Sequence, residues 1–305
     1  METPPPNITE AYATCRAIAR REAKNFYWSF RVLPRHKSDA MCAVYAFMRR
    51  ADDIADDESH PIPTRRTQMS QWLESWRASR TSPSTDPVFT ALADTQRRFN
   101  IPDSLLEELV AGTTMDLEPQ AIEGPQTYPT FEDLYRYCYL VASVVGLVCI
   151  RIFGYTDPRA EQFAEETGIA FQLTNILRDV KEDVERGRIY LPLDLLDEFG
   201  EAPAELAELA APNPRAMTER ERAMLATLAI RAEKYYLAAN KLMPLLDRDS
   251  RAAMWVLVTI YHRLLTRIAD HKMEVFRTRV TLSTTEKLSV FARGAAKAAL
   301  NRVLG

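Results

Sequence analysis

The stretch Phe171–Leu191, FQLTNILRDVKEDVERGRIYL, decides how this chain folds. It reads as one helix ended by Gly187 and followed by Arg188-Ile189-Tyr190-Leu191-Pro192. At about 100° and about 1.5 Å per residue, Gln172, Asn175, Asp179 and Asp183 fall on one stripe. Ile169, Leu173, Ile176, Leu177 and Val180 supply the apolar residues around it. Oxygen-bearing side chains beside a stripe that must be buried are costly unless something satisfies them. Two carboxylates four residues apart, with an amide a turn earlier, form a ligand set for a hard cation. Mg2+ takes oxygen ligands, keeps several waters and bridges carboxylates to substrate phosphates. A solvated acidic face is the plainer reading of this helix alone, and Lys181, Glu182, Glu185 and Arg186 favour it.

A second acidic helix changes the balance. Asp39–Asp57, DAMCAVYAFMRRADDIADD, places Tyr45, Arg49, Asp52 and Asp56 on one face, with Asp53 and Asp57 one step round. Ala43, Phe47 and Ile54 form its apolar side. Carboxylates crowded within about one turn repel one another unless solvent or a cation screens them. Two such helices are best explained by a central cavity that holds metal.

The 305 residues are 47% hydrophobic and 27% charged, enough for one large domain or two small ones. We read a single domain over 1–305, with the Pro-rich residues 1–8 disordered. Only nine glycines occur, hairpin signals are nearly absent, and Ala, Leu, Glu and Arg dominate, so the expected class is all-α. A net charge of −3 argues against a nucleic-acid surface. An anionic substrate would need metal between it and the clustered carboxylates. Cys15, Cys42, Cys138 and Cys149 lack Cys-x-x-Cys spacing and read as free, mostly buried thiols of a reducing compartment. The start, METPPPNITEAY, is no signal peptide. The apolar run Leu140–Ile150 is shorter than the about 20 residues that cross a bilayer. A cytoplasmic protein is expected, with peripheral membrane contact left open and no obligate protein partner evident.

Elsewhere, Ile8–Lys24 reads as a helix capped by Thr9. Arg35-His36-Lys37-Ser38 reads as a polar turn. Arg65–Ser79 is an amphipathic helix with Trp72 and Trp76 in the core. Helices follow over Val88–Phe99 and from Pro102 to about Leu117. Pro119–Pro129 is a long turn. Thr130–Asp133 caps a helix over Leu134–Phe153, which is apolar almost all round and therefore central. Its small residues Ala142, Ser143 and Gly146 either leave room for a ligand or allow close packing. Asp157 caps the helix that leads into the opening stretch. Leu193–Pro214 is linker-like. Long helices are expected over Thr218–Leu246, bent at Pro244, over Asp249–Val275, and at the end of Thr278–Leu304.

These residues resemble the squalene/phytoene synthases, the trans-isoprenyl diphosphate synthases that join two prenyl diphosphates head to head. Asp52-Asp53-Ile54-Ala55-Asp56 looks like the family's first Asp-rich motif and Asp179-Val180-Lys181-Glu182-Asp183 like its second. Tyr137–Gly146, Gln172–Arg178 and Gly187–Pro192 also match, and the likeness runs from about residue 20 to about residue 285. Within the family it is most like bacterial presqualene diphosphate synthases of hopanoid pathways, with bacterial phytoene synthases close behind. One departure is Asn25, where the family commonly has Ser.

The resemblance implies an all-helical isoprenoid-synthase bundle with a central cavity. It implies Mg2+ held by Asp52, Asp56, Asn175, Asp179 and Asp183. The four aspartates, Tyr137 and Arg178 would carry catalysis. Lys24, Asn25, Phe26, Tyr45, Arg49, Gln172, Asn175, Tyr190 and Tyr261 would bind substrate. Val141, Ala142, Val145, Gly146 and Cys149 would line the tunnel for the prenyl tail. The expected reaction is Mg2+-dependent condensation of two farnesyl diphosphates to presqualene diphosphate, continuing to squalene only if NADPH is used. No Gly-x-Gly-x-x-Gly unit is present for that cofactor. The alternative within the family is phytoene synthase, joining two geranylgeranyl diphosphates. A different class is a non-catalytic helical protein that binds a cation or partner on its acidic faces. It predicts exposed aspartates and no apolar tunnel. Chain length of the substrate, the stopping point of the reaction and the oligomeric state stay open.

Overall fold

A computed structural model describes residues 6–23, 27, 29–117 and 126–303. The expectations for Lys24, Asn25, Phe26 and residues 1–5 lie outside that set. Helix α1 spans Ile8–Glu22, and its N-cap is Asn7, whose side chain accepts from the Glu10 N–H at 2.9 Å. Helices α2 (Arg35–Ala55), α3 (Ile62–Ala78), α4 (Pro87–Phe99) and α5 (Asp103–Thr114) follow. Asp86 caps α4 by accepting from Val88 N–H at 2.7 Å, with Pro87 at the first helical position, where no N–H is missed.

The central helix runs unbroken from Phe131 to Phe153. It comprises α6 (Phe131–Cys138), a wide π turn over Tyr139–Ser143, and α7 (Val144–Phe153). Thr130 and Asp133 form the expected capping box. The longest helix, α8 (Arg159–Glu185), ends ahead of Gly187, whose φ of 73° suits a residue without Cβ. After α9 (Leu193–Glu198) and α10 (Pro203–Ala210) come α11 (Glu219–Leu242), α12 (Arg251–Asp270) and α13 (Thr284–Val303). Among the described residues the only strands are β1 (Gln126–Thr127) and β2 (Arg188–Ile189), paired in parallel. The class is all-α, as expected.

Two apolar cores result. One joins α1, α2, α3, α4, α5 and α7 around Phe47, Trp76, Leu92, Leu106 and Phe153. The other joins α6, α8, α10, α11 and α12 around Leu173, Leu177, Leu206, Leu228 and Ile268. Tyr139, Phe171 and Val258 are half-buried and pack against both.

Several boundaries differ from the sequence reading. Arg35–Ser38 is the first turn of α2, not a loop, and Lys37 is buried. Its Nζ donates to the Phe153 carbonyl (2.8 Å), Asp247 (3.0 Å), Asp249 (2.7 Å) and Ser250 (3.0 Å). Arg159 N–H donates to Asp157 at 2.9 Å, although Pro158 occupies the cap position of α8. α11 gives way to a 3-10 turn at Met243–Leu245, where Pro244 lacks a donor for the helix. The apolar helix is longer than the run Leu140–Ile150. Over Phe131–Phe153 it has the length and hydropathy of a membrane span. It packs against α2, α5 and α8, which accounts for part of that apolarity.

Candidate active site

The C-terminal end of α2 carries the first acidic group. Asp52 is mostly buried and Asp53 and Asp56 are exposed. Burial, reinforced by Asp56, pushes the Asp52 carboxyl up to about 6, against the opposing pull of Thr113 and Arg49. Thr113 Oγ1, from the next-to-last residue of α5, donates to Asp52 at 3.3 Å. Arg49 Nη2 pairs with Asp53 at 2.6 Å, while its Nε is buried without a partner. Tyr45, one turn before Arg49, is half-buried and meets the Phe30 ring edge-on at 6.4 Å. Burial raises its hydroxyl, with Arg49 opposing.

The last two turns of α8 carry the second. Arg178 lies along Asp179, with Nε donating at 2.8 Å and Nη2 closing the fork. Arg279, from the segment between α12 and α13, adds two donors to Asp179 Oδ1 at 3.0 and 2.6 Å. Burial would raise the Asp179 carboxyl, yet these two guanidiniums hold it below the usual range. Among the described residues Asp183 has no such partner at hydrogen-bond distance. Burial and the neighbouring Asp179 push it up to about 7, with Arg188 and Arg186 opposing. One turn earlier, Asn175 Nδ2 donates to Gln172 at 3.3 Å, and Asn175 Oδ1 is buried with no partner.

Tyr261 of α12 stacks on Phe171 at 4.4 Å and 13°, close to Asn175 and Arg178. Tyr137 and Tyr190 stack at 4.9 Å, and the Tyr137 hydroxyl donates to that of Tyr190 at 3.1 Å. Tyr128 completes the group, 5.3 Å from Tyr137 and 5.8 Å from Tyr190. The β1–β2 pair draws Tyr128 beside Tyr190, with Leu193 N–H donating to the Tyr128 carbonyl at 2.9 Å.

Val141, Ala142, Val145, Gly146 and Cys149 are all half-buried, although their helix is central. Tyr261 is likewise half-buried. Burial alone accounts for the rise of the Cys149 thiol to about 12, which marks its surroundings as apolar. Gly146 has a different task on one side. A Cβ there would meet the Ala164 carbonyl at 3.1 Å, so its smallness admits α8 rather than a ligand. Ser143 is likewise a packing residue, fully buried and donating to the Glu165 carbonyl at 2.7 Å.

Thus α2 brings Tyr45, Arg49, Asp52 and Asp56 together, and α8 brings Gln172, Asn175, Arg178, Asp179 and Asp183 together. Tyr137 with Tyr190, and Tyr261 with Phe171, form separate aromatic groups. Arg279, Thr113 and Tyr128 escaped the sequence reading. No periodicity marks Arg279 or Tyr128, and Thr113 stood only as a helix end. Among the described residues no three His, Cys, Asp or Glu side chains converge as a closed metal cage would. The donor set still fits Mg2+, which needs few protein ligands beside water and phosphate. Asp52 and Asp183 are carboxylates raised by crowding and burial, and the Asn175 oxygen has no partner.

The sequence model of the family described as squalene/phytoene synthase matches residues 19–286. The phytoene synthase of Mycobacterium tuberculosis is 38% identical over 288 residues, spanning 93% of this chain and 90% of its own length. The crystal structure of a dehydrosqualene synthase superposes with a TM-score of 0.80 at 29% identity, covering 95% of this chain and 96% of its own. Squalene synthase HpnC from Alicyclobacillus acidocaldarius gives 0.77 at 26% identity, covering 87% and 95%. With its all-α fold and the extent of these matches, the chain belongs to the squalene/phytoene synthase family of prenyltransferases.

Proposed function

We propose that this protein joins two geranylgeranyl diphosphates head to head to give phytoene. The reading rests above all on two acidic helix ends, one in each core, whose carboxylates Asp52 and Asp183 are raised by burial, together with the half-buried small and apolar residues of the central helix. The length of the substrate follows the 38% identical relative, which is a phytoene synthase. Condensation of two farnesyl diphosphates to presqualene diphosphate, or on to squalene, is the second reading. It draws on the likeness to dehydrosqualene synthase and HpnC at lower identity.

Asp52 and Asp56 on one side and Asn175, Asp179 and Asp183 on the other would hold Mg2+. Bound there, the metal would neutralise the departing diphosphate as the C1–O bond breaks. Arg178 and Arg49 exchange their present carboxylate partners, Asp179 and Asp53, for diphosphate oxygens, and Lys24 would add to them. The faces of Tyr45, Tyr137 and Tyr261 stabilise the allylic cation without trapping it. The C2=C3 double bond of the second substrate attacks that cation, and loss of a proton from the attacked C1 closes a cyclopropyl diphosphate; departure of the second diphosphate, rearrangement of the ring and loss of a second proton then give phytoene. Val141, Val145 and Cys149 keep the tail, and with it the cation, away from water.

The test is incubation of the pure protein with Mg2+ and either diphosphate, with and without NADPH, followed by identification of the lipid. Phytoene, formed with the higher kcat/KM on the C20 substrate, is expected. Presqualene diphosphate or squalene formed preferentially from the C15 substrate would establish the second reading. Absence of diphosphate release from both would contradict the enzyme reading altogether.

A further inference from the structure

The first turn of α3 carries two adjacent arginines that reach the acidic end of α2 by separate routes. Arg65 Nη1 donates to the Ala55 carbonyl at 2.6 Å. Ala55 is the last residue of α2, three after Asp52 and one before Asp56, so its carbonyl has no partner within the helix. Arg66 turns the other way, and both Nε and Nη2 donate to the Leu117 carbonyl. Leu117 closes the 3-10 turn that extends α5, and α5 carries the Thr113 hydroxyl bound to Asp52. Both carbonyls belong to buried residues at points where the chain leaves a helix. A guanidinium there also suits the negative end of each helix dipole.

We infer that Arg65 and Arg66 are positioning residues for the diphosphate site, clasping the ends of α2 and α5 so that Asp52 and Asp56 face the cleft. The inference rests on the functional reading above. Neither arginine touches substrate; Arg65 fixes the backbone from which Asp52 and Asp56 project, and Arg66 fixes the end of the helix whose Thr113 holds Asp52. Residues that orient ligands at one remove typically change metal affinity about 10- to 100-fold.

Arg77 provides an internal control. At the opposite end of α3 its Nε and Nη2 bind Glu107 of α5 at 3.0 and 2.9 Å, so it joins α3 to α5, as Arg66 does, away from the acidic end. The full-length wild type, R65M, R66M, R65K, R66K and R77M are titrated with inorganic pyrophosphate in Mg2+ by calorimetry. Helix content and melting temperature are recorded for each. R65M and R66M should weaken binding about tenfold or more and raise the Mg2+ half-saturation of turnover, with kcat at saturating Mg2+ changed less. R65K, whose single contact a lysine can reproduce, should bind near the wild type, and R66K, which loses the fork, should lie between. The lysine pair alone carries the test if the methionine variants fail to fold. Wild-type affinity in every variant, or an equal loss in R77M, overturns the inference. A wild type that binds no Mg2+–pyrophosphate overturns instead the site reading on which it stands.

Discussion

Asp179 shows how much a single residue is asked to do. It accepts from Arg178 and Arg279 while sitting one turn from Asp183, whose charge its own opposes. Asp179→Asn should therefore lose a metal ligand and free both guanidiniums. Steady-state assays at saturating Mg2+ should find kcat lower by about 10²–10³-fold, the range for loss of one well-placed electrostatic partner. A loss below tenfold would remove Asp179 from the machinery. Lys37 tests stability at the same scale. Four acceptors surround one buried ammonium, and two of them, Asp247 and Asp249, are half-exposed and can turn to water. Ser250 keeps its bond to the Phe153 carbonyl at 2.8 Å in any case. Lys37→Met should thus cost about 2–3 kcal/mol, read from the shift in urea midpoint at unchanged slope.

The helices themselves were mostly legible as stretches of sequence. The apolar stripe of α8, the capping box at Thr130 and the glycine at 187 each state their role locally. What failed was local reading of residues whose partners are remote. Lys37 looks like part of a polar turn until Phe153, Asp247 and Ser250, more than a hundred residues away, are brought to it. Arg279 stands in an irregular segment, and its partner lies 100 residues earlier. The close approach of α8 to the π turn was equally hidden. Gly168 lies against Ser143, where an added Cβ would fall 2.6 Å from Ser143 Cα and 2.8 Å from its nitrogen. Alanine improves helix propensity by about 1 kcal/mol, but both atoms are backbone and cannot yield as a side chain would. Gly168→Ala should therefore lower the melting temperature and reduce turnover. An unchanged or raised melting temperature would show that the two helices separate freely.

Across the whole molecule, the two acidic groups lie on helix ends that pack into different cores. Both carboxylate rows were readable from spacing, because four-residue intervals on a helix share a face. Their relation across the molecule was not, since it depends on how two cores join through Tyr139, Phe171 and Val258. Substrate length belongs to this scale too. The tail tunnel proposed above runs past Cys149, half-buried on α7, the continuation of the helix that carries Tyr137. Cys149→Phe should fill that space and reduce kcat/KM for the C20 substrate more than for the C15 substrate. Mg2+–pyrophosphate binding should be unaffected. Equal losses on both substrates would place Cys149 away from the tail.

The most direct test of the central claim is a crystal structure grown with Mn2+ and an unreactive prenyl thiodiphosphate, with the metal located by its anomalous signal. The account predicts metal peaks between Asp52 and Asp56 on one side and Asn175, Asp179 and Asp183 on the other. The diphosphate should bridge them, and the tail should run past Val141, Val145 and Cys149. Metal bound to one acidic helix alone, or a tail lying on the outer surface, would contradict it.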